Sequence, residues 1–203
     1  MRVKLGPEHP STFACLESQA QCLANSGQLD RAGAMVDEVI ASRHRVQGDG
    51  HPDTFRSRMN RAELDLARDR LDAAEAADRA ILDECRTRLG ADHTLTIAAG
   101  LALARVRAAR GDRDSAAPLY QAALESARKK PSDRETLATA LTESGRSRLA
   151  AGDGTAAEAM LREALVIREA EMSQHWRTAE ARSLLGGALL GQRRAAADRA
   201  IPS

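Results

Sequence analysis

The sequence predicts an all-α protein made of repeated antiparallel helix pairs, an α-solenoid, on three observations. The first is self-similarity. LGPEHPST begins at Leu5, QGDGHPDT at Gln47 and LGADHTLT at Leu89, so His9, His51 and His93 are 42 residues apart, as are Thr12, Thr54 and Thr96. Repeats of this length are the signature of stacked supersecondary units. The register slips once, with Thr136 falling 40 residues after Thr96, and then resumes at Thr178, where His175 stands 42 beyond Asp133. The second observation is a marker inside each repeat. GQLDRA at Gly27, DRLDAA at Asp69, GDRDSA at Gly111 and GDGTAA at Gly152 recur 15 or 16 residues after the threonine. Each puts Gly or Asp where one helix should stop and a capping residue where the next can start. The third is composition: aromatic residues are only 2% of the chain, against the aromatic and β-branched usage of sheet proteins.

The elements follow in order. Pro10 and Pro52 stand where a proline costs a helix nothing, at its first position. Between the markers lie Ala, Leu, Arg and Glu, all good helix formers. The expected pairs are Pro10–Ser26 with Leu29–Val46, Pro52–Arg68 with Leu71–Leu89, Thr94–Arg110 with Ser115–Lys130, and Arg134–Ala151 with Thr155–Met172. Pro118 is placed in the first turn of its helix. A fifth first helix is expected from Trp176 to Leu190, followed by a segment with almost no apolar stripe. The repeat domain is therefore bounded at 1–192, with a short, poorly ordered tail at 193–203.

Composition limits the function. A chain of 203 residues fits one or two domains. Its 43% hydrophobic and 29% charged residues suit a packed core rather than disorder. Lys and Arg number 30 against 29 Asp and Glu, a formal net charge of +1, so the basic excess of a nucleic-acid binder is missing. No apolar run reaches the ~18 residues of a membrane span, and the first residues do not form a secretory signal; a cytoplasmic location without membrane partners is expected. Three cysteines with no Cys-x-x-Cys pair suggest neither disulfides nor zinc. Cys15 and Cys22, seven apart, are expected to share a buried helix face. The spaced histidines are read as capping residues, since each lies a full repeat from the next and zinc needs converging ligands. No metal, no cofactor and no catalytic constellation is expected.

The residue pattern resembles a known family. Leu16, Ala20, Leu23, Gly27, Leu29, Ala32, Val36 and Ile40 have the spacing of a tetratricopeptide core. With LGPEHPST at 5–12, PLYQAAL at 118–124 and AEAMLREAL at 157–165, the chain resembles kinesin-light-chain-type tetratricopeptide repeats over residues 1–190. The resemblance implies a right-handed α-solenoid with a ~42-residue period, binding a protein or peptide in the concave groove lined by first helices. The last part, Ile167–Ala170 and then Trp176–Gln192, is similar to the final repeat in the tails of bacterial serine/threonine protein kinases. No kinase motif is present. The use of 27 Arg against 3 Lys suits a GC-rich bacterial genome. Residues 1–4 match the last turn of a second helix, so a fragment or remnant of a longer array is expected, with self-association possible through uncapped repeat ends.

Candidate groove residues follow from the register of the first helices. Arg56 and Asn60 lie four apart on one helix face and resemble half of a carboxylate clamp. Glu17 lies in the equivalent row of the first repeat, where kinesin-light-chain repeats carry Asn-Asn and this chain has Glu17-Ser18 and Met59-Asn60. Gln21, Glu63, Arg105 and Arg146 form the adjacent row, a mixed-charge floor. The expected function is a non-catalytic interaction scaffold; the alternative is a regulatory or oligomerising tail of a bacterial signalling kinase or ATPase.

Overall fold

The computed structural model describes residues 6, 8–130, 132–172 and 176–200. Among them are nine α-helices and no strand: α1 Pro10–Asn25, α2 Leu29–Gln47, α3 Pro52–Ala67, α4 Leu71–Leu89, α5 Thr94–Ala109, α6 Arg113–Arg128, α7 Arg134–Ala150, α8 Gly154–Met172 and α9 Trp176–Ala200. The chain divides into two units, Met1–Gly90 holding α1–α4 and Ala91–Ser203 holding α5–α9. In each, every helix packs on the next, and in the second the first helices α5, α7 and α9 also touch in sequence. The fold is an all-α helical repeat.

The repeated residues explain the repeated geometry. His9, His51 and His93 are the N-caps of α1, α3 and α5; each imidazole Nδ1 accepts the backbone N–H two residues on at 3.1 Å. Asp133 takes that part for α7, its Oδ1 accepting from the Thr136 N–H at 3.2 Å. The conserved-register threonine closes the same loop: Thr12 Oγ1 donates to Gly6 O at 2.9 Å and Thr54 Oγ1 to Gly48 O at 3.0 Å. His175 and residues 1–4 lie outside the described residues. At the other end of the first helices, Gly27, Gly111 and Gly152 have φ of 81°, 83° and 82°. That left-handed residue lets the next N–H reach back to the helix, as Gln28 N–H does to Leu23 O at 2.9 Å. Asp69 occupies the position in the second repeat with φ 58°, the one non-glycine with positive φ among the described residues.

Each second helix meets its first helix through a small residue. Ala32, Ala74, Ala116 and Ala157, in register, are all 0–1% exposed. Opposite them Ala20, Ala62 and Ala104 are buried, and α7 carries Gly145, where an added Cβ would stand 2.9 Å from Leu161 Cγ. Small side chains on both sides let helix backbones approach closely.

Three expectations are corrected. Helix α6 begins at Arg113, not Ser115, so Pro118 falls in its second turn. Helix α9 continues to Ala200 rather than ending at Leu190; after Gly191 the stretch is rich in Ala and Arg, with no breaker before Pro202. Cys15 and Cys22 are exposed, and only Cys85 is buried. Their counterparts on α3, Ser57 and Leu64, are buried because the pair before α3 covers them, whereas no described element covers that side of α1.

Candidate functional site

In the first unit, α1 and α3 are tied at one level and part at the next. Glu17 on α1 makes the tie: its carboxylate accepts from Ser57 Oγ of α3 at 2.5 Å and from Arg43 Nη2 of α2 at 2.9 Å. Arg43 also donates to Asp53 O at 2.7 Å and lies over the Phe13 ring, 5.6 Å from its centroid. Its side chain is 5% exposed, and the guanidinium of this α2 residue is held by partners on α1 and α3. Toward the C-terminal ends of α1 and α3 a cleft of about 190 Å³ opens. Its walls are Glu17, Gln21 and Asn25 from α1 and Asn60 and Glu63 from α3; Ala20, Ala24, Leu29, Val36, Leu64 and Ala67 supply the apolar surface. Gln21 Nε2 donates to Asn25 Oδ1 at 3.0 Å, which orders one amide wall.

Four of the seven residues taken from the sequence therefore converge: Glu17, Gln21, Asn60 and Glu63. The other three stand elsewhere. Arg56 does not line the cleft; it is 55% exposed and its Nη1 donates to Asp53 Oδ1 at 2.6 Å, one turn back on the same helix. Arg105 and Arg146 belong to the second unit. Arg146 pairs with Glu180 of α9 and lies 3.9 Å from Glu143. Both arginines lie near Tyr120, whose hydroxyl is pushed up to about 12 by burial and by the Glu143 charge, with Arg105 and Arg146 opposing.

In the second unit Tyr120 lines a smaller recess, about 80 Å³, with Arg113, Gln121, Ser144 and Ser147. It sits two repeats after Val36, the floor of the cleft in the first unit, and is 5% exposed. A tyrosine at this register carries more volume than a valine, and the recess it lines is smaller than the one over Val36. The same register converts the ionic tie: Leu101 and Ala127, both buried, stand where Glu17 and Arg43 do.

Sequence reasoning missed Asn25 and the Arg43 network. The signal for Asn25 was its i,i+4 spacing from Gln21. For Arg43 it was register: positions 43, 85, 127 and 168 read Arg, Cys, Ala and Arg, and all four are buried. A row that is small or apolar in two repeats marks a buried position in the others. Cys85 illustrates the environment, its thiol pushed up to about 11 chiefly by burial. Among the described residues no three His, Cys, Asp or Glu side chains could together hold a metal ion. Nor is any described helix long and apolar enough to cross a membrane.

No family model matches the sequence, and no curated protein matches it. Among solved structures, the chain is similar to nearly identical TPR-like repeats assigned to a kinesin light chain of Podosopora anserina. The TM-score is 0.66 at 21% identity, over 92% of this chain and 90% of that one. A variant of the same repeats gives 0.68 at 19% identity, covering 94% and 90%. BtubC (BKLC) from P. vanneervenii gives 0.64 at 16% identity, covering 93% and 81%. These likenesses establish the fold as that of tetratricopeptide-like repeats.

Proposed function

We propose that the chain is a protein-interaction scaffold without catalysis of its own, holding an extended peptide segment in the cleft between α1 and α3. The observation that carries this reading is the cleft itself: an apolar floor beneath side-chain amides from two helices. Amides can pair with both the N–H and C=O of a peptide backbone, and the floor can take a small apolar side chain. The reading narrows the groove expected from the sequence. Asn60 and Gln21 carry the contact, Glu63 flanks it, and Arg56, occupied by Asp53 and outside the cleft, contributes little.

Selection of the full chain against a random displayed-peptide library tests it. Asn60→Ala and Gln21→Ala should each weaken a selected peptide about 5- to 100-fold, because a desolvated peptide group is left unpaired. Arg56→Ala should leave the affinity within about twofold, as should Arg79→Ala on α4, whose guanidinium is paired to Glu75 at 2.7 Å. Unchanged affinity in both amide variants would place the peptide elsewhere.

A further inference from the structure

The recess of the second unit lies between α6 and α7, with Arg113 and Gln121 on one side and Ser144, Ser147, Arg148 and Ala151 on the other. The repeat register explains why it is there. Aligned on the helix stops, Gly27 with Gly111 and Asp69 with Gly152, the first-unit residues Asp37, Arg61, Asp65 and Arg68 correspond to Gln121, Ser144, Arg148 and Ala151. In the first unit these positions form an ion-pair network. Arg61 Nε donates to Asp37 Oδ1 at 2.9 Å, and its Nη1 lies 2.6 Å from Asp65 Oδ2. Arg68 pairs with Asp30 at 2.9 Å, donates to Leu29 O and lies against Gly33. In the second unit both arginines are replaced by small residues, which leaves the recess, and the two aspartates become Gln121 and Arg148. Asp30 keeps its charge as the exposed Asp114, which does not line the recess. The same place in the repeat is thus emptied and its charge inverted.

What borders the recess is donors. Ser144 is 4% exposed, and its Oγ has no hydrogen-bond partner. Other hydroxyls of these first helices turn back to the carbonyl four residues earlier, as Ser57 Oγ does to Asp53 O at 3.1 Å and Thr142 Oγ1 to Ala138 O at 2.7 Å. A buried hydroxyl without that bond calls for another partner. Among the described residues no carboxylate pairs with Arg113. Arg148 meets Asp153 at 3.7 Å, beyond hydrogen-bond distance, with both side chains about half exposed. Gln121 spends one amide hydrogen on Glu125 Oε1 at 2.7 Å and keeps the second.

We propose that this recess binds a phosphoryl group, either as free phosphate or on a phosphorylated side chain of a partner. Two guanidinium groups match its charge of about −2 near neutral pH, and its three terminal oxygens can accept from both forks and from the Ser144 hydroxyl. A carboxylate, with one charge and two oxygens, leaves one arginine unanswered. The volume of about 80 Å³ is two to three times the ~30 Å³ share of a water molecule, room for one such group. Every residue of the site belongs to the second unit, so the proposal stands independently of the peptide cleft between α1 and α3.

Titrating the isotope-labelled full chain with inorganic phosphate, followed by NMR, tests the site. Phosphate should shift the Ser144 and Ser147 amides saturably, and added sodium chloride should weaken it. Acetate should bind at least tenfold more weakly. Arg113→Gln with Arg148→Gln, both exposed positions, should reduce phosphate affinity at least tenfold, and Ser144→Ala about three- to tenfold. Asn60→Ala in the other unit should leave it within about twofold. Fluorescent degenerate peptide pools with a fixed central phosphoserine or serine identify the source. A preference for phosphoserine that the double arginine variant loses assigns the group to a partner; no preference assigns it to the free ion, and either upholds the site. The proposal is overturned by the absence of a saturable phosphate shift, by acetate binding as tightly as phosphate, or by natural phosphate affinity in the double arginine variant.

Discussion

The two units use one repeat to different ends. In the first unit arginines make the seam where one pair meets the next: Arg43 of α2 reaches Glu17 of α1 and Asp53 O of α3, Arg61 pairs with Asp37 and Arg68 with Asp30. In the second unit the seam is a continuous apolar cluster that includes Leu101, Tyr120, Leu124, Ala127, Ala138 and Leu141. The lesson is that the repeat sets where backbones go, while the residues at a few register positions decide whether a seam is ionic or apolar and how large a recess it leaves. Leu101, Ala127 and Tyr120 give the second unit an apolar seam with a smaller recess. Glu17, Arg43 and Val36 leave the first one open.

The sharpest way to break this comparison is at the buried ion pair. Arg43→Met alone strands Glu17, 15% exposed, without its charge partner and should cost about 3 kcal/mol in urea denaturation. Glu17→Leu with Arg43→Met imports the apolar solution of the second unit and should recover more than half of that loss. If the double variant is as unstable as the single, the two seams are not interchangeable. Next in size is the small-residue contact common to both units. Ala74→Phe in the first and Ala116→Leu in the second force volume into a closed contact and should each cost ~1–3 kcal/mol. An unchanged melting temperature in either would disprove the register.

Smaller still is the helix stop. Asp69→Gly relieves a left-handed residue that its counterparts Gly27, Gly111 and Gly152 never strain, and should stabilise the chain by about 0.5–1 kcal/mol. The smallest effect concerns acid. Arg58 donates to both Glu84 oxygens at 2.7 and 3.0 Å, which holds that carboxyl below its ordinary value of 4.5. A depressed carboxyl adds stability that is complete above that value and is lost as the pH falls through its folded-state pKa. Glu84→Gln should therefore flatten the acid limb of the stability profile and leave its neutral-to-basic limb parallel to that of the natural chain.

Much of the fold was legible because its signals are local. Histidine and aspartate caps, left-handed glycines and the alanine rows all recur at fixed spacing, and each acts on its own helix end or contact. The helix that overran, α9, shows the limit: a fading apolar stripe was read as a stop, but no Gly or Pro after Gly191 enforces one before Pro202. The groove was half legible. Register placed Gln21, Asn60, Glu17 and Glu63 on the inner rows, and they do meet. It could not show that Arg56 turns back to Asp53, or that Val36 rather than a charged residue makes the cleft, because both depend on side-chain volume and partners on other helices. Cys15 and Cys22 were misplaced for the same reason: a helix face is buried only if something covers it.

Val36→Tyr tests the account most directly, because it writes the bulkier residue of the second unit into the floor of the first unit's cleft. A library-selected peptide should lose at least tenfold in affinity for this variant. Circular dichroism should still report the helical content of the natural chain. Peptide binding that survives the tyrosine undiminished would contradict the claim that this cleft is where the protein meets its partner.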